Sequence, residues 1–254
     1  MIRTTPPRSD WRFGATIDFW HTLAIPRPEA IPGIVAARRA SWIRALTRAR
    51  AAHLPSEAEF ARFERWCATE ERKGRAPDLQ RQAGWMAQRT GGRVQVTPLR
   101  RDLDRGILSA PIELAPGARP VLARLRRAGF RIALLSNLIF ESPRAIRQLL
   151  TRWEILAYLD AMVTSADAPW SKPDPRIYRR ALRRLGVAPS RAIHLGDLPL
   201  DVEGARAARM AAARIDPHSR RPARRTDPRV VWYASWKEVT VESLRQTILA
   251  PEAA

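Results

Sequence analysis

Cysteine occurs once in 254 residues, as Cys67, and lysine three times, as Lys73, Lys172 and Lys237. A lone thiol excludes a disulfide framework and leaves no set of thiolates for a zinc or iron–sulfur site. No apolar run approaches the ~20 residues of a membrane-spanning helix. The opening MIRTTPPRSD has no apolar stretch of the secretory kind. The expectation is a soluble, cytoplasmic protein with no membrane partner. Acidic residues are also scarce, 25 against 45 basic ones, for a net charge of +20. Almost all of that charge is arginine. Arg-, Ala- and Pro-rich, Lys-poor usage has the form of GC-rich codon bias, which makes part of the charge a mark of the genome. The remainder would draw phosphorylated small molecules or nucleic acid. The arginines are spread over many segments, as on solvated helix faces, and this weighs against nucleic acid. The densest cluster, HSRRPARRTDPR at 218–229, is the best place for an anion patch.

What is present is an apolar fraction of 45%, enough for a packed core. Residues 12–18 read as a short buried strand. From Ala30 to about Ser109 the pattern is helical. Ile31, Ile34, Val35, Trp42, Ala45, Leu46 and Ala49 recur at three- and four-residue steps. Ser56 with Glu59 forms a capping box ahead of Phe60, Phe63 and Cys67, which makes Cys67 a packing residue. Asp78 opens a third helix through Trp85 and Met86, closed at Gly91-Gly92, and Thr97-Pro98 starts a fourth. Trp42, Phe60, Phe63, Trp66 and Trp85 look like the core of this stretch.

From Pro116 helices and strands alternate. Strands are expected at 131–137, 161–167, 192–197, 211–216 and 230–234, with helices at 118–128, 142–153, 174–185, 201–210 and 240–249. That rhythm defines an α/β fold, a doubly wound parallel sheet. An all-helical subdomain is inserted after its first strand. The expected division is a core of residues 11–24 and 113–254 and a helical cap of residues 25–112.

Ligands in such sheets bind at the carboxyl ends of the strands. Those ends carry Asp18 and Thr22, then Ser136 and Asn137, then Lys172 in SKPDP, then Asp197 with Asp201 four places on. Singly, each has an ordinary reading: a strand-end cap, a turn, a surface lysine, a helix N-cap. Together they supply an attacking carboxylate, a hydroxyl and a lysine to hold an anion, and carboxylates for a hard cation such as Mg²⁺. That is the outfit of phosphoryl transfer.

IDFWHTL, LLSN, SKPDPRIY and HLGDLPLDVEGARAARM resemble the four motifs of the haloacid dehalogenase superfamily, in the branch whose cap follows the first motif. The resemblance implies a hydrolase with a Rossmann-like core. Asp18 would be the nucleophile that forms an aspartyl-phosphate. Thr22 would orient its loop, Ser136 and the adjacent Asn137 would serve the phosphoryl oxygens, and Lys172 would stabilise charge. Mg²⁺ would be held by Asp18, the Trp20 backbone carbonyl and Asp197, with Asp201 in support. The implied substrate is a small, anionic, phosphorylated molecule. No signal in the chain indicates an oligomeric state.

One position departs from the family pattern. Its phosphatases carry a second Asp two residues after the nucleophile, as proton donor and then base, and here that place is Trp20. Three readings follow. The leaving group needs little protonation, or another group such as His21 provides it. Alternatively the chemistry is at carbon, as in the dehalogenases, which have an aromatic residue at this place and use a cap arginine, for which Arg38 and Arg39 are candidates. Or the site has lost catalysis and the fold serves binding.

Overall fold

The computed structural model describes residues 13–216 and 227–252. Most of the basic cluster expected at 218–229 lies outside them. The first strand, β1 (Phe13–Ile17), is followed by a short β2 (Ala24–Pro26) and four helices, α1 (Ile31–Arg48), α2 (Glu57–Arg72), α3 (Leu79–Thr90) and α4 (Val96–Ser109). The chain returns through β3 (Ile112–Leu114). It then alternates: α5 (Ala118–Arg127), β4 (Phe130–Ser136), α6 (Pro143–Arg152), β5 (Ala161–Thr164), α7 (Pro175–Leu185), β6 (Ala192–Gly196), α8 (Pro199–Ala207), β7 (Ala211–Ile215), β8 (Val230–Tyr233) and α9 (Val241–Leu249).

Six strands form one parallel sheet in the order β5-β4-β1-β6-β7-β8. The period of two in β4 shows why it is covered on both faces. Ile132 and Leu134 join Val121, Leu125, Leu149, Leu244 and Ile248 of α5, α6 and α9 on one side. Leu135 joins Ile177, Tyr178, Leu182 and Ala205 of α7 and α8 on the other. With both faces buried, the strands read as continuous apolar runs rather than alternating ones.

The inserted helices have their own core. Trp42, Phe60, Phe63, Cys67, Leu79, Met86, Leu99 and Leu103 are buried together, with Trp66 and Trp85 packed against them. Phe63 is central, with ring centroids 5.3 Å from Trp42, 5.4 Å from Trp85 and 6.2 Å from Phe140. Phe140 comes from the loop after β4, so one core side chain is shared with the insertion. The helix ends follow the sequence signals. The Ser56–Glu59 capping box starts α2, Asp78 caps the start of α3, and Gly91 ends α3 at φ +71°.

One element was not anticipated. β2 and β3 pair antiparallel, Ala24 opposite Leu114 and Pro26 opposite Ile112, where the chain leaves the sheet and where it returns. Arg27 and Glu113 form an ion pair beside this ribbon. Three-residue strands are too short for periodicity to reveal.

Candidate active site

β1 lies between β4 and β6 with Ile17 level with both Leu134 and Leu195. The next residue, Asp18, therefore leaves the sheet at its centre, flanked by the ends of the two neighbouring strands. Its amide donates to the Leu195 carbonyl at 2.9 Å. Ser136 and Asn137 end one neighbour and Asp197 follows the other. Asp18, Ser136, Asn137, Lys172 and Asp201 are all buried.

The Lys172 ammonium sits between two carboxylates, donating to Asp18 Oδ1 and to Asp201 Oδ1, each at 2.6 Å. Its backbone is clamped by Asn137. The Lys172 amide donates to Asn137 Oδ1 at 2.8 Å, and Asn137 Nδ2 donates to the Lys172 carbonyl at 3.0 Å. Asn137 thus fixes the lysine. Burial opposes the charge on Lys172, but Asp18 and Asp201 outweigh it and raise the ammonium above the ordinary lysine range.

Asp201 is tied at three points. Besides Lys172, it faces His194 Nε2 at 3.1 Å and accepts from the Leu198 amide at 3.0 Å. His194 Nδ1 lies 2.8 Å from the Thr16 hydroxyl. A neutral imidazole protonated on Nε2 satisfies both contacts, donating to Asp201 and accepting from Thr16. Burial would raise the Asp201 carboxyl; Lys172 and His194 overcome this and hold it well below the usual range. Gly196 makes the arrangement sterically possible. A Cβ there would lie 2.4 Å from the Asp201 carboxyl carbon.

Asp18, Asp197 and Asp201 each offer an oxygen, and the three oxygens lie within 4.8 Å of one another. Against these carboxylates stands the Lys172 ammonium. The imbalance shows at Asp197: burial, with Asp18 and Asp201 nearby, pushes its carboxyl up to about 7. A cluster of hard oxygen donors short of positive charge fits a small divalent cation such as Mg²⁺. Asp197 is further placed by the Thr22 hydroxyl, which donates to Oδ1 at 3.3 Å, and by Arg214 Nε, which donates to its carbonyl at 2.8 Å. Trp236 Nε1 donates to the Thr22 carbonyl at 2.7 Å and so ties the Asp18 loop to the segment between β8 and α9.

A cavity of about 360 Å³ opens beside the Asp18 loop, between Trp20, His21 and Asn137 on one side and Ile34, Arg38 and Glu71 of the inserted helices on the other. Trp20 is on its wall, half-buried and edge-on to Phe19 at 5.0 Å. His21 is exposed, in left-handed backbone at φ +55°, and also borders the cavity. Of the two candidate arginines, Arg39 turns away to pair with Glu64 at 2.9 Å and with Glu57. Arg38 lines the cavity, 3.6 Å from Glu141, with its guanidinium 3.8 Å above the Phe140 ring. Sequence reasoning passed over His194 and Glu71. The first is a lone histidine in an apolar strand; the second is one of many charges on α2. Glu71 Oε1 accepts from Asn137 Nδ2 at 3.0 Å.

The fold and the strand-end residues define a hydrolase of the haloacid dehalogenase class. A family model for haloacid dehalogenase-like hydrolases matches residues 16–209, and the chain belongs to that family. It is 36% identical over 138 residues to a phosphoserine phosphatase of Thermus thermophilus, covering 54% of this chain and 51% of that protein. The chain thus spans about half or less of the curated relatives it matches. By fold it is similar to a phosphatase of the family from Thermococcus onnurineus, with a TM-score of 0.62 at 20% identity over 89% of this chain and 95% of the other. It is similar to a 2-haloacid dehalogenase of Pseudomonas syringae to the same degree, with a TM-score of 0.61 at 22% identity over 88% and 94%. Among the described residues no helix is long and apolar enough to cross a membrane.

Proposed function

We propose that this chain is a Mg²⁺-dependent phosphatase or phosphotransferase that acts on a small phosphorylated substrate through an aspartyl-phosphate on Asp18. The observation that carries this reading is the clustering of Asp18, Asp197 and Asp201 around one lysine. The dehalogenase reaction expels a halide and has no use for an additional acidic cluster. A dianionic phosphoryl group does have use for a cation held there. Phosphatase relatives support the same choice.

In this reading Asp18, Asp197 and the Trp20 carbonyl would hold the cation, with Asp201 in support, and when bound it would neutralise phosphoryl charge. Lys172 orients the Asp18 carboxylate and offsets charge on the equatorial oxygens. Ser136, at the end of β4, supplies a hydroxyl to those oxygens, and Asn137 keeps Lys172 in place. Asp18 attacks phosphorus in line, and water then releases phosphate from the acyl-phosphate. Residues 25–112 act as a cap over the core of residues 11–24 and 113–254, and the cavity beneath the cap holds the leaving group.

Trp20 gives the carbon-chemistry reading its one specific support, since the dehalogenases carry an aromatic residue there. A turnover panel with and without Mg²⁺ separates the two. Phosphate monoesters, acetyl phosphate and 2-haloacids are offered to the wild type and to Asp18→Asn. Phosphate release that requires Mg²⁺ and Asp18 supports the proposal. Halide release undiminished by EDTA refutes it.

A further inference from the structure

Two carboxyl groups, Glu71 and Glu141, line the cavity beside the Asp18 loop, together with Trp20, His21 and Asn137. Glu141 has a partner in Arg38. Glu71 forms no ion pair among the described residues. It stands half-buried in the last turn of α2, beside a residue of different fate: Glu70 is buried beneath Lys73, Arg75 and Arg81 at 3.3, 3.7 and 3.0 Å. One helix turn thus gives one carboxyl a set of basic partners and sends the other to the cavity. Glu71 Oε1 is occupied by the Asn137 amide, which leaves Oε2 for a proton. Asn137 is also the residue that clamps Lys172, so Glu71 is anchored to the same framework as the nucleophile's lysine.

A carboxylate drawn partly out of water without an ion-pair partner is costly, whereas a protonated acid in the same place is much less so. The surroundings agree. Burial pushes the Glu71 carboxyl above its ordinary range, opposed by the Asn137 amide and Lys172 and reinforced by Asp18 and Asp201. The other charged or titratable groups around the cavity are His21, Arg38 and Glu141.

We propose that Glu71, from the inserted helices, is the proton donor and acceptor of this site, in the role that Trp20 cannot fill. The proposal rests on the phosphatase reading. In the first step an Asp18 oxygen bonds to phosphorus while the bond from phosphorus to the leaving oxygen breaks. The Glu71 proton passes to that oxygen, giving the alcohol and the Glu71 carboxylate. In the second step the carboxylate takes a proton from the attacking water, whose oxygen bonds to phosphorus as the acyl-phosphate bond breaks. Phosphate leaves, and Asp18 and protonated Glu71 are restored.

The test compares wild type, Glu71→Gln, Glu71→Asp, His21→Gln and the double variant Glu71→Gln/Trp20→Asp, all with Mg²⁺, on acetyl phosphate and on a set of alkyl phosphates. Acetate leaves without a proton; an alkoxide does not. Glu71→Gln is expected to lower kcat on alkyl phosphates by about 10²-fold or more, to change acetyl phosphate turnover by only a few-fold, and to abolish the alkaline limb of the alkyl phosphate pH profile. Trp20→Asp in that background is expected to restore alkyl phosphate turnover. Glu71→Asp, whose carboxyl is one methylene further back, is expected to show an intermediate loss confined to alkyl phosphates, and it serves where Glu71→Gln does not fold. Equal loss on both substrate types overturns the proposal. So does a selective loss that follows His21→Gln instead, or a wild type that accepts acetyl phosphate but no alkyl phosphate. Those three results leave the phosphatase reading standing. A wild type with no phosphatase activity overturns both.

Discussion

Replacing Lys172 by Met removes the cation between Asp18 and Asp201 while nearly preserving its volume. The side chain is 3% exposed and lies 2.6 Å from an oxygen of each carboxylate. Little cavity forms, so the effect is electrostatic. Breaking a buried pair from one side leaves uncompensated charge and costs about 3–5 kcal/mol. At roughly 2–4 °C per kcal/mol for a chain of this size, the melting temperature should fall by about 6–20 °C. The assay is thermal and urea unfolding in EDTA, so that no divalent ion substitutes for the ammonium. The pH dependence has a definite sign. Lys172 is raised above the ordinary lysine range, so its stabilisation is fully present below ~10.4 and is lost only as pH rises beyond that. Asp201 is depressed, so its stabilisation is present above ~3.9 and is lost as pH falls through its folded value. Without the lysine, a proton can neutralise one carboxylate in mild acid. The cost of Lys172→Met should therefore be larger at pH 8 than at pH 5, and Asp201→Asn in the same chain should recover part of it. A loss under about 1 kcal/mol at pH 8, or one that grows as pH falls, would refute the buried-charge argument.

Gly196→Ala should place its methyl against the Asp201 carboxyl, where 2.4 Å is available. A cost of about 1–3 kcal/mol is expected by denaturant titration, together with loss of Mg²⁺-dependent turnover. Phe63→Ala should cost about 3–5 kcal/mol, because its ring is buried among Trp42, Trp85 and Phe140. Limited proteolysis should then cut first within α1–α4. Cys67 is buried and its thiol is pushed up to about 12 by that burial, so it should resist aromatic disulfide reagents at pH 8 until the protein is unfolded. Reaction within minutes in native buffer would show the thiol to be accessible.

Much of the architecture is legible in the residues because local signals and burial agree. Ser56 with Glu59 and Asp78 stand at helix starts and Gly91 at a helix end, and each does there what its side chain or its lack of one permits. The continuous apolar runs reveal strands because both sheet faces are covered. Asp18, Ser136, Lys172, Asp197 and Asp201 were readable as strand-end residues, and the parallel register brings them together. What escaped has physical causes. The β2–β3 ribbon is too short to show a period. Glu71 and Glu70 are chemically alike in sequence, and only the rotation of α2 against Asn137 separates a cavity carboxyl from one enclosed by basic side chains. His194 gains its partners Thr16 and Asp201 from different elements. Nothing in the spacing of Trp236 and Thr22, far apart in the chain, announces their hydrogen bond.

That bond, with the placement of β1 between β4 and β6, bears on the order in which the molecule is completed. The strand that carries Asp18 leaves the ribosome before both its neighbours, which are supplied by residues 130–136 and 192–196. The carbonyl of its loop waits for Trp236. Contacts of such long sequence separation form slowly, and a growing chain cannot make them early. The four inserted helices, whose core is nearly all local, can pack while synthesis continues. Asp18 is thus made well before the residues that set it, and a chain cut short after the inserted helices carries Asp18 without Lys172, Asp197 and Asp201 beside it.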